Sequence, residues 1–250
     1  MKSTNQKKIA IVTGGGSGIG LAITEKFVSN GILTIIIGRN QQNLNKAKNK
    51  LGRLCVTVNF DLTNLKAIPA LVKNIIDEYG QIDILVNNAG INLKKEFTKV
   101  SDEEFNQILQ TNVTSIFVIS REVVKFMVKK RSGNIINISS MASQYGLPNV
   151  IAYTASKSAI EGMTRAMAVE LSPGGILVNC IAPGFIATDM SKKALNGDMV
   201  RKQKVLARTP LGKLGDPADV AEAAYFLSSD RAGYLTGIVL PVDGGNSVGF

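Results

Sequence analysis

The chain has 250 residues, of which 45% are hydrophobic and 19% charged, which fits one large globular domain or two small ones. It contains no histidine, and this excludes a Ser-His-Asp triad and a histidine metal cage. The formal net charge of +10 does not by itself predict nucleic-acid binding, because the basic residues are scattered and only 6% of the chain is aromatic.

The two cysteines, Cys55 and Cys180, lie in apolar stretches without CxxC spacing, which indicates buried free thiols rather than a disulfide or a metal site. The amino terminus runs into a short apolar segment without the features of a signal peptide. No apolar run approaches the roughly 20 residues needed to span a bilayer. We therefore expect a soluble, cytoplasmic protein with no membrane, nucleic-acid or metal partner.

Apolar runs of strand length alternate with segments of helical period along the chain. The runs cover residues 9–13, 33–38, 54–59, 82–87, 134–139, 176–182 and 238–242. Runs that are apolar on both faces are typical of buried parallel strands. The alternation predicts an α/β fold, a doubly wound parallel sheet (Rossmann fold) forming a single domain over residues 1–250.

A glycine-rich turn follows the first predicted strand and leads into the first predicted helix. Glycines permit a tight turn and a close approach of the backbone to a pyrophosphate, which the free amides of a helix N-terminus bind. The turn predicts cofactor contacts at Gly14, Ser17, Gly18, Ile19 and Gly20. A merely flexible turn is the alternative interpretation.

The end of the second predicted strand bears on cofactor choice. NAD-binding units usually carry an acid here, whereas this chain has Gly38 followed by Arg39. A guanidinium suits the 2′-phosphate of NADP(H), although a solvated surface arginine is the alternative. After the third strand, Asp61 and its neighbour Leu62 are predicted to lie at the adenine, and the same segment also fits a helix N-cap.

Tyr153 and Lys157 are four residues apart, so on a helix they share one face. A phenol titrates near ~10 when unperturbed, and an adjacent ammonium is expected to lower that pKa. Ser140 is predicted to end the fifth strand, where its hydroxyl can hold a substrate oxygen. Taken alone, the spacing also fits a half-buried tyrosine beside a solvated lysine.

Several motifs in order resemble those of the short-chain dehydrogenase/reductase family, and they cover essentially the whole chain. The matching residues are Thr13, Gly14, Gly18 and Gly20; Asn87, Asn88, Ala89 and Gly90; Asn112; Ser140; Tyr153 and Lys157; and Pro183, Gly184, Ile186 and Thr188. Ser140 is preferred to Ser139 because the interval of 13 residues to Tyr153 is usual in the family.

The resemblance implies an oxidoreductase that interconverts a ketone and a secondary alcohol, with Tyr153 as proton donor and acceptor. Asn112 is implied to position a water in a relay to Lys157, which also binds the nicotinamide ribose. The resemblance also implies cofactor contacts at Asn88, Ala89, Gly90, Pro183, Gly184, Ile186 and Thr188. Arg39 predicts that this cofactor is NADP(H). A homotetramer is also implied.

Within the family, the segments 182–190 and 210–230 most resemble bacterial 3-oxoacyl-(acyl-carrier-protein) reductases of fatty acid biosynthesis. That likeness implies a 3-oxoacyl thioester, on an acyl carrier protein or free. Sugar and polyol dehydrogenases of the gluconate 5-dehydrogenase kind share much of the pattern. Val150 and Ala152, where the reductases often have Gln and Asn, and the absence of an arginine in 172–175 count against the first reading. A non-catalytic NADP(H)-sensing protein is a third hypothesis.

Two basic segments are candidates for substrate recognition. The polar segment 188–210 follows the sixth strand, where ligands bind in such sheets, and predicts a lid. Its part from Ser191 to Arg208 holds six basic residues against one acidic residue: Lys192, Lys193, Arg201, Lys202, Lys204 and Arg208 against Asp198. The cluster Lys129-Lys130-Arg131 resembles a carrier-protein docking patch, and it equally suits the dipole at a helix C-terminus.

Overall fold

A computed structural model gives the fold of residues 7–188, 191 and 199–249. Seven strands form one parallel sheet in the order β3-β2-β1-β4-β5-β6-β7. They are β1 Ile9–Thr13, β2 Leu33–Gly38, β3 Cys55–Asn59, β4 Ile84–Asn87, β5 Gly133–Ile138, β6 Ile176–Pro183 and β7 Val239–Val242. The predicted α/β fold with a doubly wound sheet is confirmed, and each predicted strand lies within two residues of its observed bounds.

Helices cover both faces of this sheet. They are α1 Gly18–Ser29, α2 Gln41–Leu51, α3 Ile68–Tyr79, α4 Asp102–Leu109, α5 Ser115–Lys130, α6 Ile151–Leu171, α7 Met199–Arg208 and α8 Pro217–Leu227. A π-helical turn, Gln110–Thr114, joins α4 to α5. Helix α7 lies inside the segment that the sequence predicts as a lid, while residues 189, 190 and 192–198 of that segment lie outside the described residues.

The core explains why the strands are apolar on both faces. Side chains of successive strand residues point to opposite sides, so Val12 belongs to the same core cluster as Phe27 of α1, while Ile11 belongs to a second cluster with Leu71 of α3. Val12, Phe27 and Ile11 are fully buried. Cys55 and Cys180 are buried free thiols, which confirms that prediction.

The topology places the functional loops at one edge. The strand order reverses between β1 and β4, and the connections that leave β1, β4, β5 and β6 gather at the carboxyl edge around this switch point. No helix within the described residues has the length and apolar character to cross a bilayer. The same part of the chain holds no cluster of three or more His, Cys, Asp or Glu side chains arranged around a metal position.

Candidate active site

A cleft of about 650 Å³ opens at the carboxyl edge of the sheet. Most of the predicted site residues line it: Gly14, Ser17, Gly18, Ile19, Asn88, Ala89, Gly90, Ser140, Tyr153, Lys157, Pro183, Gly184, Ile186 and Thr188. The other predicted residues, Gly20, Arg39, Asp61, Leu62 and Asn112, lie outside this lining. The structure therefore brings the glycine-rich turn and the tyrosine–lysine pair into one space.

The glycine-rich turn forms a wall of bare backbone. Gly14 has a φ of 66°, and its amide donates to the carbonyl of Ile37 at 2.7 Å. A Cβ on Gly20 would lie 2.3 Å from the Gly14 carbonyl oxygen, so only hydrogen fits there. Ser17 precedes α1 without capping it through its side chain, which leaves first-turn amides for an anion. This cradle fits a dinucleotide pyrophosphate.

The loop after β4 is tied to that turn. The amides of Asn88 and Ala89 both donate to the Thr13 hydroxyl at 3.0 Å, and the Asn88 side chain donates to the Thr13 carbonyl at 3.0 Å. Since Thr13 ends β1, these bonds fix the β4 loop beside the first glycine. Asn88, Ala89 and Gly90 are thus held in the cleft lining.

Arg39 and Asp61 form an exposed pair at the ends of β2 and β3. The Arg39 Nη1 lies 3.7 Å from an Asp61 carboxylate oxygen, and the arginine side chain is 62% exposed. Asp61 also accepts from the amide and hydroxyl of Thr63, bonds that lower the pKa of its carboxyl, the amide bond most. These bonds close a turn at Asp61, whereas the N-cap of the following short helix, Leu65–Ala67, is Asn64, so the N-cap interpretation of Asp61 was wrong. Leu62 is buried in the core.

Tyr153 and Lys157 lie in the first two turns of α6, on one face. The Lys157 Nζ is 5.5 Å from the centroid of the Tyr153 ring and donates to the Ile138 carbonyl at 2.7 Å. Burial lowers the pKa of Lys157 to about 8. Burial also raises the pKa of the Tyr153 phenol, with a smaller opposing effect of the Ser140 hydroxyl.

The prediction that the Lys157 ammonium lowers the pKa of Tyr153 was therefore wrong for the protein without a bound cofactor. Desolvation disfavours the charged form of both groups, so it opposes the phenolate as well as the ammonium. As a result, Tyr153 keeps its proton at neutral pH and Lys157 titrates closer to neutrality than a solvated lysine.

Ser139 and Ser140 differ in what their side chains contact. Strand β5 ends at Ile138, two residues earlier than predicted for Ser140, which instead caps the following turn by accepting from the Ala142 amide at 3.2 Å. Ser139 is buried, and its hydroxyl donates to Glu161 at 2.9 Å. Both serines line the cleft, but Ser140 is half-buried there while the buried Ser139 hydroxyl bonds Glu161, and this difference favours Ser140.

Glu161 supports the site, although no motif in the sequence pointed to it. Its buried carboxylate accepts hydrogen bonds from Ser139 and Ser143, and the Ser143 hydroxyl also contacts the Ser140 carbonyl at 2.5 Å. The network fixes the turn that carries Ser140. A glutamate on the same helix face as Lys157, one turn further along, is the only sequence signal.

Asn112 lies in the π-helical turn and is fully buried. Its side-chain amide accepts from the Ile91 amide and donates to the Ile91 carbonyl, both at 2.8 Å. A Cβ on Gly90 would lie 3.3 Å from the Asn112 oxygen and 3.6 Å from the Lys157 Nζ. Asn112 and Lys157 thus both lie beside Gly90, and of these three residues only Asn112 is outside the cleft lining.

Residues 8–198 match the family model of the short chain dehydrogenases. The chain belongs to that family. Its members are oxidoreductases that use a nicotinamide cofactor, and the cradle and cleft of this short-chain dehydrogenase agree with such a group.

Two relatives show the range of substrates among similar chains. The 3-oxoacyl-(acyl-carrier-protein) reductase of Vibrio cholerae is 41% identical over 238 residues, covering 95% of this chain and 96% of the relative. A 3alpha-hydroxysteroid dehydrogenase of Mediterraneibacter gnavus is 40% identical over 244 residues, covering 96% of each chain. Similarity of this size therefore accompanies more than one substrate class.

Solved structures give the same family. A candidate gluconate dehydrogenase from Agrobacterium tumefaciens has a TM-score of 0.92 at 34% identity, with 97% of both chains covered. A short chain dehydrogenase from Bacillus anthracis has a TM-score of 0.87 at 32% identity, covering 96% of this chain and 97% of that one.

A second cavity of about 370 Å³ adjoins the cleft of this short-chain dehydrogenase, and Leu147 and Phe185 line both. Its lining comes from the segment after β5, the segment after β6, helix α7 and the carboxyl-terminal segment: Tyr145, Leu147, Pro148, Asn149, Phe185, Val200, Lys204, Val205, Arg208 and Asn246, with Lys94 from the β4 loop. Sequence reasoning assigned a role to Lys204 and Arg208 only as members of a basic segment.

The cluster Lys129-Lys130-Arg131 lies at the other end of the molecule. It precedes β5, whose carboxyl end leads to Ser140, and a six-residue strand spans roughly 20 Å. Lys130 pairs with Asp83, and the Lys129 Nζ lies 5.6 Å from the Phe126 ring centroid. Within one chain, these charges are therefore far from the cleft, and the helix-terminus interpretation describes their position.

Proposed function

We propose that the protein is an NADP(H)-dependent reductase that interconverts a ketone and a secondary alcohol, with a 3-oxoacyl thioester as its best-supported substrate. The observation that carries the proposal is the single cleft shared by the glycine-rich turn, Ser140, Tyr153 and Lys157. Bound NADP(H) supplies the hydride or accepts it. All other chemistry falls to side chains of this chain.

Tyr153 is assigned the proton transfer. Because burial raises its pKa, the phenol holds its proton at neutral pH and can deliver it to the carbonyl oxygen as that oxygen gains negative charge. Ser140 donates a hydrogen bond to the same oxygen. Lys157, with a pKa of about 8, stabilises the resulting phenolate and exchanges protons near neutrality.

Cofactor contacts are assigned to the residues around this cleft. Gly14, Ser17, Gly18, Ile19 and Gly20 form the pyrophosphate cradle. The remaining proposed contacts are Asp61 and Leu62 at the adenine, Asn88, Ala89 and Gly90 after β4, Tyr153 and Lys157 at the ribose, and Pro183, Gly184, Ile186 and Thr188 at the nicotinamide. Arg39 is assigned the 2′-phosphate, since no acid stands at the end of β2 to repel it.

The second cavity favours an acyl or other apolar substrate over a polyol. Tyr145, Leu147, Pro148, Phe185 and Val205 give it mostly apolar walls, which suit an alkyl chain better than a row of hydroxyls. A steroid ketone also fits such walls, and a relative of that activity supports it as the second candidate. We further propose one domain over 1–250, a cytoplasmic location and a homotetramer, the last supported by exposed Phe117 and Val169 on α5 and α6.

The test is a kinetic panel in which acetoacetyl-CoA, a keto sugar and a 3-oxosteroid are each paired with NADPH and NADH. We expect the largest kcat/KM for the thioester with NADPH. Tyr153→Phe should lower kcat by ~10²-fold or more while the thermal unfolding midpoint stays close to that of the wild type. Near-normal turnover by a folded Tyr153→Phe variant would remove the assigned mechanism. No turnover of any ketone by the wild type would instead favour a cofactor-sensing role.

A further inference from the structure

The second cavity combines apolar walls with positive charge. Lys94, Lys204 and Arg208 line it, and no carboxylate is among the described residues that do so. Val200, Lys204, Val205 and Arg208 belong to α7 at spacings of four, one and three residues, so one face of this helix supplies both kinds of lining. An apolar space with cations in its wall suits a ligand that is both apolar and anionic.

Arg208 is the most closely held of these cations. Its guanidinium carbon lies 4.2 Å from the centroid of the Tyr145 ring, and its Nε donates to the Asn246 carbonyl at 3.0 Å. Asn246 is buried and in turn bonds Thr209 at 2.8 Å and the Tyr145 hydroxyl. Tyr145 and Asn246, from two different segments, therefore orient the side chain before any ligand arrives.

This orientation keeps the donors of Arg208 available. A guanidinium stacked on a ring presents its N–H groups at its edge, where a carboxylate or phosphate accepts two of them in parallel. Among the described residues, only the Asn246 carbonyl accepts a hydrogen bond from the Arg208 side chain. Asp243 lies close enough to affect Tyr145, but its two oxygens accept from the amides of Gly245 and Ser247.

We propose that Arg208 is a specificity-determining residue that binds a carboxylate or phosphate on the substrate. The preferred substrate is then an apolar ketone with an anionic group. That group reaches Arg208 when the carbonyl lies at Tyr153 and Ser140. The inference rests on the proposed ketone reduction only for the position of that carbonyl. Anion binding by Arg208 can be measured without turnover.

The first experiment compares binding of octanoate and octanamide by isothermal titration calorimetry. These probes share an apolar chain and differ in charge. We expect wild-type protein to prefer octanoate and Arg208→Gln to weaken octanoate binding about tenfold or more while leaving octanamide unchanged. Arg208→Lys keeps the positive charge but lacks the paired N–H donors of the guanidinium. Its affinity for octanoate should lie between those of the wild type and Arg208→Gln. Lys202→Gln, on the same helix but outside the cavity lining, is the matched control and should behave as the wild type.

The second experiment extends the test to catalysis with 7-oxooctanoate and its methyl ester. Arg208→Gln should lower kcat/KM for the acid about tenfold and leave the ester unaffected. Equal binding of both calorimetric probes by the wild type would overturn the inference. So would an equal loss for both probes in Arg208→Gln, which would assign Arg208 to packing, or an equal loss in Lys202→Gln, which would indicate a general positive field. Failure of turnover with intact anion binding would count against the proposed function instead.

Discussion

The two ends of the cleft differ in whether backbone or side chains form the wall. At the β1–α1 turn, the wall is backbone: Gly14 and Gly20 approach so closely that a Cβ on Gly20 would overlap the Gly14 carbonyl. At the second cavity, the wall consists of side chains such as Tyr145, Phe185 and Arg208 on connecting segments and on α7. The end proposed to bind the cofactor is thus fixed by the path of the chain, whereas the end proposed to bind the substrate can change its chemistry with the backbone in place.

The largest effect is expected from breaking the backbone wall. In Gly20→Ala the new Cβ would lie 2.3 Å from the Gly14 oxygen, so the turn must move. We expect NADPH to bind ~100-fold more weakly or worse, as measured by fluorescence titration. Gly162→Ala is the control, since a Cβ there meets no atom of the described chain within 4 Å. It should leave binding unchanged and stabilise α6 by about 0.5–1 kcal/mol. Normal binding by Gly20→Ala would mean that the wall adapts.

Lys157→Met tests the cost of burying an ammonium between the two ends. Because the pKa of Lys157 falls from 10.5 to about 8, the folded protein holds this proton less tightly than the unfolded chain. The cost, about 3 kcal/mol, is fully present below the folded pKa and disappears as the pH rises towards the unfolded one. We expect the variant to melt at a higher temperature than the wild type near neutral pH, with a smaller gap at about pH 9. If the difference in melting temperature between Lys157→Met and the wild type does not change with pH, the gain in stability comes from packing instead.

Arg39 is proposed to set the preference for NADPH over NADH through its side chain, although backbone forms most of the wall at this end of the cleft. Arg39→Asp should shift the ratio of kcat/KM for NADPH over NADH towards NADH by roughly 10- to 150-fold, because it removes a phosphate partner and adds a repelling charge. Arg53→Asp, at an exposed position outside the cleft lining, should leave that ratio unchanged. Wild-type protein that already prefers NADH would show that Arg39 serves only its surface pair with Asp61.

The smallest effect is expected at Glu161, which orients the turn carrying Ser140. Glu161→Ala should lower kcat by about tenfold with little change in KM for NADPH, because the buried Ser139 and the half-buried Ser143 lose the carboxylate that both contact. Glu161→Gln keeps an acceptor oxygen and should restore most of the activity. Equal loss in both variants would point to the charge of Glu161 rather than to the position of Ser140.

The fold was predictable because its determinants repeat along the sequence. Strands buried on both faces leave continuous apolar runs, as in Ile9–Thr13, and Gly14 stands where the backbone requires a positive φ. The spacing of Tyr153 and Lys157 also specifies a shared helix face. These signals are local in the sequence, so they can be recognised without knowledge of the tertiary structure.

The substrate end was not predictable in the same way. The contact between Tyr145 and Asn246 joins residues 101 positions apart, and neither side chain stands out in the sequence. The direction of the pKa shift at Tyr153 was also missed, because spacing reveals the neighbouring ammonium but not the loss of solvent around both groups. Burial and long-range packing decide these properties.

The side chain of Asn112 pairs with the backbone of Ile91 as a neighbouring strand would. By both accepting from and donating to the backbone of Ile91, it extends sheet-like pairing from a helix to a loop, and its third bond reaches Ser156 at 3.0 Å. An inactive Asn112 variant would therefore be ambiguous evidence for a proton relay, since the same substitution releases Ile91. Amide hydrogen exchange at Ile91 separates the two explanations: faster exchange reports a freed loop, and unchanged exchange with lost turnover leaves the relay.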